Sequence, residues 1–394
     1  MMILINACNT MLNAFFSLFF GVYILQNINN DLIFVLYVNL FATAVGFLFS
    51  CVFYYVFNQR TIMFIYRLSF AVILSLMLMM LFLPVGLYLP FLVLSLFKCS
   101  NYLYYTPHEI AIMDKNKAKE ISGFLAKSAI VSGLTAIAAP FLIGVIVSEI
   151  NFLAMFITLG AFSIVMLICS FFIPNITIAK SPQKYMPLKF MKISLKYKHM
   201  RSAYLSHFFT KTSKAGAISL LLPIMIFMHT DSEFELGMYA SLIALVALLF
   251  LMIYAKFKKW QAIIVVITSL LWVGSAFSLL IHVALVSFII YSITARISEK
   301  VYSNAHTTAM NNSIKIPELE PYKREFHFTY NVLKKTSDLM TLGITLILCL
   351  HFDLEIVIPI IFAVFTSTNL ISVFFNLRCK KQLEKFHERD IIES

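Results

Sequence analysis

An all-α polytopic membrane protein, with twelve transmembrane helices in two six-helix bundles, is predicted by three observations. The chain has too few charges for a soluble surface, its apolar runs have spanning length, and a basic connector divides those runs six and six. Of its 394 residues, 60% are hydrophobic and 13% charged, and the mean hydropathy is +0.87. Soluble domains carry about 25% charged residues, so this chain cannot cover itself for water. A spanning helix needs roughly 20 apolar residues, and runs of that length recur from end to end.

The runs fall near 3–26, 32–57, 61–82, 86–107, 121–148, 152–173, 203–229, 235–255, 262–281, 283–303, 325–351 and 355–377. Several joints are too short for anything but a turn, which forces antiparallel neighbours. The first run lacks a basic leader and a small-residue cleavage site, so it reads as a spanning helix. Residues 1–173 form the expected N-terminal bundle, 174–202 a basic central loop, 203–377 the C-terminal bundle and 378–394 a tail.

Loop charge then sets orientation. Joints that follow odd-numbered spans hold Asp31, Glu149, Asp231, Glu233, Glu235, Asp353 and Glu355, without a Lys or Arg. Joints that follow even-numbered spans hold Arg60, then Lys115, Lys117 and Lys119, and later Lys256, Lys258 and Lys259. Short loops rich in Lys and Arg stay cytoplasmic. Both termini are therefore expected inside, in a bacterial-type cytoplasmic (inner) membrane. The net charge of +12 reads as topology, and no nucleic-acid partner is expected. In the central loop, "LKFMKISLKYKHM" has the pattern of an amphipathic surface helix with Lys189, Lys192 and Lys196 on one side. The six cysteines have no metal or redox spacing, and neither a cofactor nor a metal is expected.

Ionisable groups inside spans cost roughly 2.5–3.5 kcal/mol each on insertion scales and mark function. Lys98 lies in the fourth span, Lys127 in the fifth, Lys211 and Lys214 in the seventh, Arg296 in the tenth, and Lys334, Lys335 and Asp338 in the eleventh. Lys98 and Arg296 belong to an internal repeat. At an offset of about half the chain, "KCSNYLYYTPHEIA" aligns Lys98, Tyr104 and His108 with Arg296, Tyr302 and His306 of "RISEKVYSNAHTTA". Each stretch exits an even-numbered span. Lys98, Arg296, Lys211, Lys214 and Lys127 are therefore candidates to line a cavity and attract an anionic or carbonyl-rich substrate. The alternative is that these long side chains snorkel to the headgroups. Asp338, His108, His306, Arg60 and Pro140 are candidates for coupling or gating. His108 and His306 are read as helix-end caps, and Asp338 as an ion-pair partner of Lys334 or Lys335.

Six plus six spans, a basic central loop and both ends inside resemble the major facilitator superfamily over the whole length. Its motif between the second and third helices, Gly-x3-Asp-x2-Gly-Arg-Arg, is met here by "FNQRTIMFIYR", which keeps only Arg60 and, further on, Arg67. In the fifth span "SGLTAIAAPFLIG" places Ala139-Pro140 where many exporters of the family have Gly-Pro. The resemblance implies a monomeric secondary transporter working by alternating access. Efflux of a small organic molecule, antibiotic or short peptide is the first reading, with protons or a counter-ion as coupling partner. Uptake or exchange of an anionic metabolite is the second. A polytopic membrane enzyme is the third. It is the weakest, because His108 and Asp114 fall on different sides of a helix and no Walker A, GxSxG or HExxH pattern is present.

Overall fold

The computed structural model describes residues 1–393 except 29, 57–61, 85, 114–117, 174–185, 215, 255, 258–259, 315 and 317. It leaves aside the side chains of 54–56, 62, 106, 108–113, 118–127, 129, 304, 320, 323–324 and 385–393. The described residues are helical almost throughout. The first span is α1 (Met2–Ala14), a π turn (Phe15–Phe19) and α2 (Phe20–Asn27). Then follow α3 (Leu32–Val56), α4 (Ile62–Phe82), α5 (Tyr88–Met113), α6 (Ala118–Glu149) and α7 (Phe152–Phe171). A short α8 (Pro187–Ser194) precedes α9 (Lys198–Ser213) and α10 (Gly216–Thr230). The remainder is α11 (Glu233–Tyr254), α12 (Gln261–Ile281), α13 (Leu285–Ser313), α14 (Lys323–His351) and α15 (Leu354–Glu393).

Every expected span corresponds to helix among the described residues, yet several helices, α5, α13 and α15 above all, overrun the apolar runs at their C-terminal ends. Hydropathy reports the part that lies in hydrocarbon, whereas the backbone ladder continues into water as long as propensity allows. Among the described residues, nine helices are long and apolar enough to cross a membrane. Helices α5, α13 and α14 are long enough but are not among the nine. They are the ones that carry Lys98, then Arg296, Glu299 and Lys300, then Lys334, Lys335 and Asp338.

Two of the turns are built alike. Asn30 (φ 56°) and Asp231 (φ 48°) take the left-handed conformation that Asn and Asp tolerate best among non-glycine residues. The next residue caps the following helix in both cases. Asp31 Oδ1 accepts from the Phe34 N–H at 3.1 Å, and Ser232 Oγ accepts from the Glu235 N–H at 3.2 Å. These joints follow the first and seventh spans, the places that the internal repeat would equate.

The chain divides into two compact units, residues 1–180 with 220–245 and residues 181–219 with 246–394. In the first, α4 packs on α5 and α7, α3 on α5, and α1 on α6 and α7. Its interior is aromatic, with Tyr66, Phe70 and Tyr104 in mutual ring contact and Phe16 stacked on Phe97 at 3.6 Å. In the second, α15 packs along α9 and α12, α12 also on α13, and α14 on α8 and α9. Helix α8 is the expected amphipathic segment. Phe190 is its buried anchor, against Tyr322 and Phe326, while Lys189 and Lys192 are exposed. The carboxylate of Glu325 accepts from the Met186 N–H at 3.1 Å, at the N-terminal end of α8 where a negative charge is favoured.

Candidate functional site

In the first unit, Lys98 lies about three turns into α5. Its Nζ donates to Thr43 Oγ1 on α3 at 2.6 Å. The two helices meet closely, because a Cβ on Gly46 would lie 3.2 Å from Lys98 Cβ. Lys98 is half-buried and held inside the unit, and this bond gives no support to a side chain stretched to the headgroups. Arg67 is also held, with its guanidinium 4.5 Å from the centre of the Phe171 ring. The side chains of Lys127 and His108 lie outside the described residues, as does Arg60 altogether. Helix α5 itself runs through position 108 to Met113, so that histidine is not at a helix end.

The first span carries a polar stripe that charge counting passed over. Asn6, Asn9, Thr10, Asn13 and Ser17 are spaced three or four apart, so they share one helical face. Asn6 Nδ2 donates to Ser128 Oγ at 3.1 Å and to Ser132 Oγ at 2.7 Å on α6. Asn13 Nδ2 and Asn9 Nδ2 reach Tyr105 Oη on α5 at 3.3 and 3.5 Å. The stripe ends in the π turn, a local widening that often accompanies functional sites.

The second unit holds the densest polar core. Ser206 on α9, Tyr302 and His306 on α13, and Ser372 on α15 are all buried. Tyr302 Oη lies 2.9 Å from Ser206 Oγ and 2.7 Å from Ser372 Oγ, and Ser372 Oγ donates to the Ser206 carbonyl at 2.7 Å. His306 is not a helix-end cap, because α13 continues to Ser313. Its Nδ1 meets Ser206 Oγ at 3.2 Å and its Nε2 meets His207 Nδ1 at 3.2 Å. Such a ring-to-ring bond needs one N–H and one lone pair. The network fastens α9, α13 and α15 together. Tyr302→Phe is expected to lower the melting midpoint of the purified protein, since losing the hydroxyl strands buried partners at about 1–3 kcal/mol. Thermal unfolding in detergent checks this.

Beside this core stands a charge cluster. The seventh span, expected as one helix, is broken. Helix α9 ends at Ser213 and Lys214 sits at its C-cap (φ −105°, ψ 7°). Non-helical backbone at membrane depth survives only inside protein or against water. Lys214 Nζ lies 5.9 Å from the Tyr302 ring centre. Arg296 Nη1 pairs with Glu299 Oε2 at 3.2 Å, and Glu299 also lies within electrostatic reach of Lys214, Lys300 and Lys211. Asp338 pairs with Lys335 at 3.7 Å and faces Lys211. Lys211, Lys214, Arg296, Lys300, Lys334 and Lys335 thus lie within electrostatic reach of one another or of two carboxylates, an excess of positive charge. It is carried by three helices that pack together, and α9 and α13 join it to the serine, tyrosine and histidine network.

No family model matches the sequence, and no curated protein matches it. Solved structures do. The structure of the nucleoside transporter NupG aligns with 96% of this chain and 98% of its own, with a TM-score of 0.68 at 12% identity. The D-xylose-proton symporter aligns over 95% and 96%, with a TM-score of 0.69 at 12% identity. A bacterial homologue of the human lysosomal transporter Spinster, inward-facing and unoccupied, aligns over 98% and 96%, with a TM-score of 0.63 at 13% identity. The chain has the major facilitator fold.

Within this fold, Pro140 finds a packing role. It lies inside α6, and its carbonyl oxygen stands where a Cβ on Gly237 of α11 would go. A Cβ on Gly144 would come 2.8 Å from the Glu233 carbonyl oxygen and 3.2 Å from Gly237 Cα. The two helices therefore cross backbone to backbone, inside the first unit. Phe141 and Phe234 pack edge to face beside the crossing at 5.9 Å, and Gln26 Nε2 donates to Glu233 Oε1 there. The Ala-Pro reading of "SGLTAIAAPFLIG" named Pro140 but not its partner, because Gly237 lies almost a hundred residues away.

Proposed function

We propose that the chain is a secondary transporter working by alternating access, and that its cargo is a small organic molecule presenting an anionic or oxygen-rich group. The observation that carries this is the excess of positive charge around a broken membrane helix, in a chain with the major facilitator fold along nearly its whole length. Cations are retained inside a bilayer at a cost, and an anionic cargo gives them a use. Export is the direction we assign, because Pro140 lies inside α6 where many exporters of this superfamily have Gly-Pro. Uptake of an anionic metabolite is the second reading, favoured by the cluster's charge. Cytoplasmic termini, a bacterial inner membrane and coupling to protons or a counter-ion belong to the same proposal.

Flux of labelled solutes into and out of proteoliposomes, with and without a proton gradient, tests it. A nucleoside, a pentose, a dipeptide and a dicarboxylate sample the chemistry, and cell accumulation with and without the gene fixes direction. Lys98→Ala and Arg296→Ala are each expected to impair flux severalfold. Unchanged flux in both variants would remove these cations from the cargo path.

A further inference from the structure

Glu299 is unusual among the charges of the second unit. It is a carboxylate about four turns into α13. It pairs with Arg296, one turn back on its own helix, at 3.2 Å, and Lys214 and Lys211 on α9 lie within its electrostatic reach. Its side chain keeps 36% of its surface, so the group is reachable as well as paired. The second carboxylate, Asp338, is engaged by Lys335 at 3.7 Å and lies within electrostatic reach of Lys211.

A low-dielectric site cannot simply drop an anion. Releasing an anion leaves the cations that held it uncompensated. A site that binds and releases an anion each cycle therefore works best when another anion can take its place. Glu299 has the charge, the neighbours and the partial exposure for that exchange. We propose that Glu299 is a built-in substitute for the cargo's anionic group. It pairs with Arg296 and offsets the charge of Lys214 in the empty protein, yields both to an incoming carboxylate or phosphate, and takes them back on release. This rests on the anionic-cargo reading above and adds a residue that weakens binding in order to permit turnover.

The signature is a split between affinity and turnover. Removing an ordinary binding residue lowers both. Glu299→Gln removes the competitor, so ligand is expected to bind about fivefold or more tightly while net flux falls, because release now strands the cations. Exchange of external for internal ligand, in which the cations are never left empty, is expected to persist. The measurement is ligand-dependent thermal stabilisation of the purified full-length protein by succinate, by inorganic phosphate and by uridine monophosphate, with neutral uridine as control. Wild type, Glu299→Gln and Lys214→Ala are compared, followed by net flux and counterflow with whichever anion stabilises. A lower half-saturating concentration in Glu299→Gln, together with loss of stabilisation in Lys214→Ala, supports the inference. Equal or weaker binding by Glu299→Gln, with wild-type binding intact, overturns it and leaves the transport reading standing. No stabilisation of wild type or Glu299→Gln by any of the anions overturns the anionic cargo and the inference together. If Glu299→Gln does not yield folded protein, Glu299→Asp withdraws the carboxylate by one methylene and is expected to shift affinity in the same direction by a smaller factor. An unchanged or weaker affinity there overturns the inference equally.

Discussion

Lys214→Met is expected to reduce flux of the transported solute roughly tenfold or more while leaving the purified protein at least as stable as wild type. The two readouts move apart because the lysine is costly to the fold and useful to the cargo. A cation near mid-membrane costs roughly 2.5–3.5 kcal/mol on insertion scales, and methionine of similar length keeps the packing beside Tyr302 while removing that cost. A hydrogen bond to a charged group contributes about 1.5–3 kcal/mol, which is roughly 10- to 150-fold in affinity. Lys211→Met is expected to act in the same direction, because Lys211 lies within reach of Lys214, Glu299 and Asp338. Flux in proteoliposomes and melting in detergent are measured on one preparation. Unchanged flux would show that Lys214 only balances Glu299. A clear fall in stability would show that Lys214 belongs to the scaffold.

Much of the fold was written in apolar run lengths, because the bilayer imposes one length on every span and lets few charges through. Helix ends were less legible. The tenth run stops near residue 303, but α13 continues ten residues further, so His306 reads from sequence as a cap when it lies inside the helix and bonds to Ser206 and His207. The same early stop left Glu299 out of the sequence-based candidates, although it lies one turn from Arg296 and the i,i+3 spacing was visible. The break after α9 had a signal in "KTSKAG", where Ser213 and Gly216 flank Lys214, but an unbroken apolar average hid it. The Asn6, Asn9 and Asn13 stripe was also visible by spacing. A search for formal charge passes over carboxamides, which cost less in hydrocarbon and still bond across helices. Contacts such as His207 with His306, or Gly144 with Gly237, join distant parts of the chain and leave no local pattern to read.

Gly237→Leu is expected to abolish most transport in a protein that still folds. The side chain has nowhere to go, because the first added carbon meets the Pro140 carbonyl oxygen and then Gly144 Cα, and backbone cannot rotate aside as a side chain can. Overpacking typically costs about 1–3 kcal/mol. Membrane helices lose little by separating slightly, since lipid fills the gap that water would penalise in a soluble core. The cost therefore falls on the state that contains the crossing. If the proposed transport cycle passes through that state, about 3 kcal/mol against it depletes its population roughly 150-fold. Flux falls with that population, while a ligand that binds the other state keeps its affinity. Gly237→Ala is expected to fall between wild type and the leucine variant, and Gly144→Leu to resemble Gly237→Leu because its Cβ meets the Glu233 carbonyl and the same Gly237 Cα. Flux, ligand-dependent melting and monodispersity across the three variants test this. Wild-type flux in Gly237→Leu would show that the close α6–α11 crossing is not needed for the protein to work.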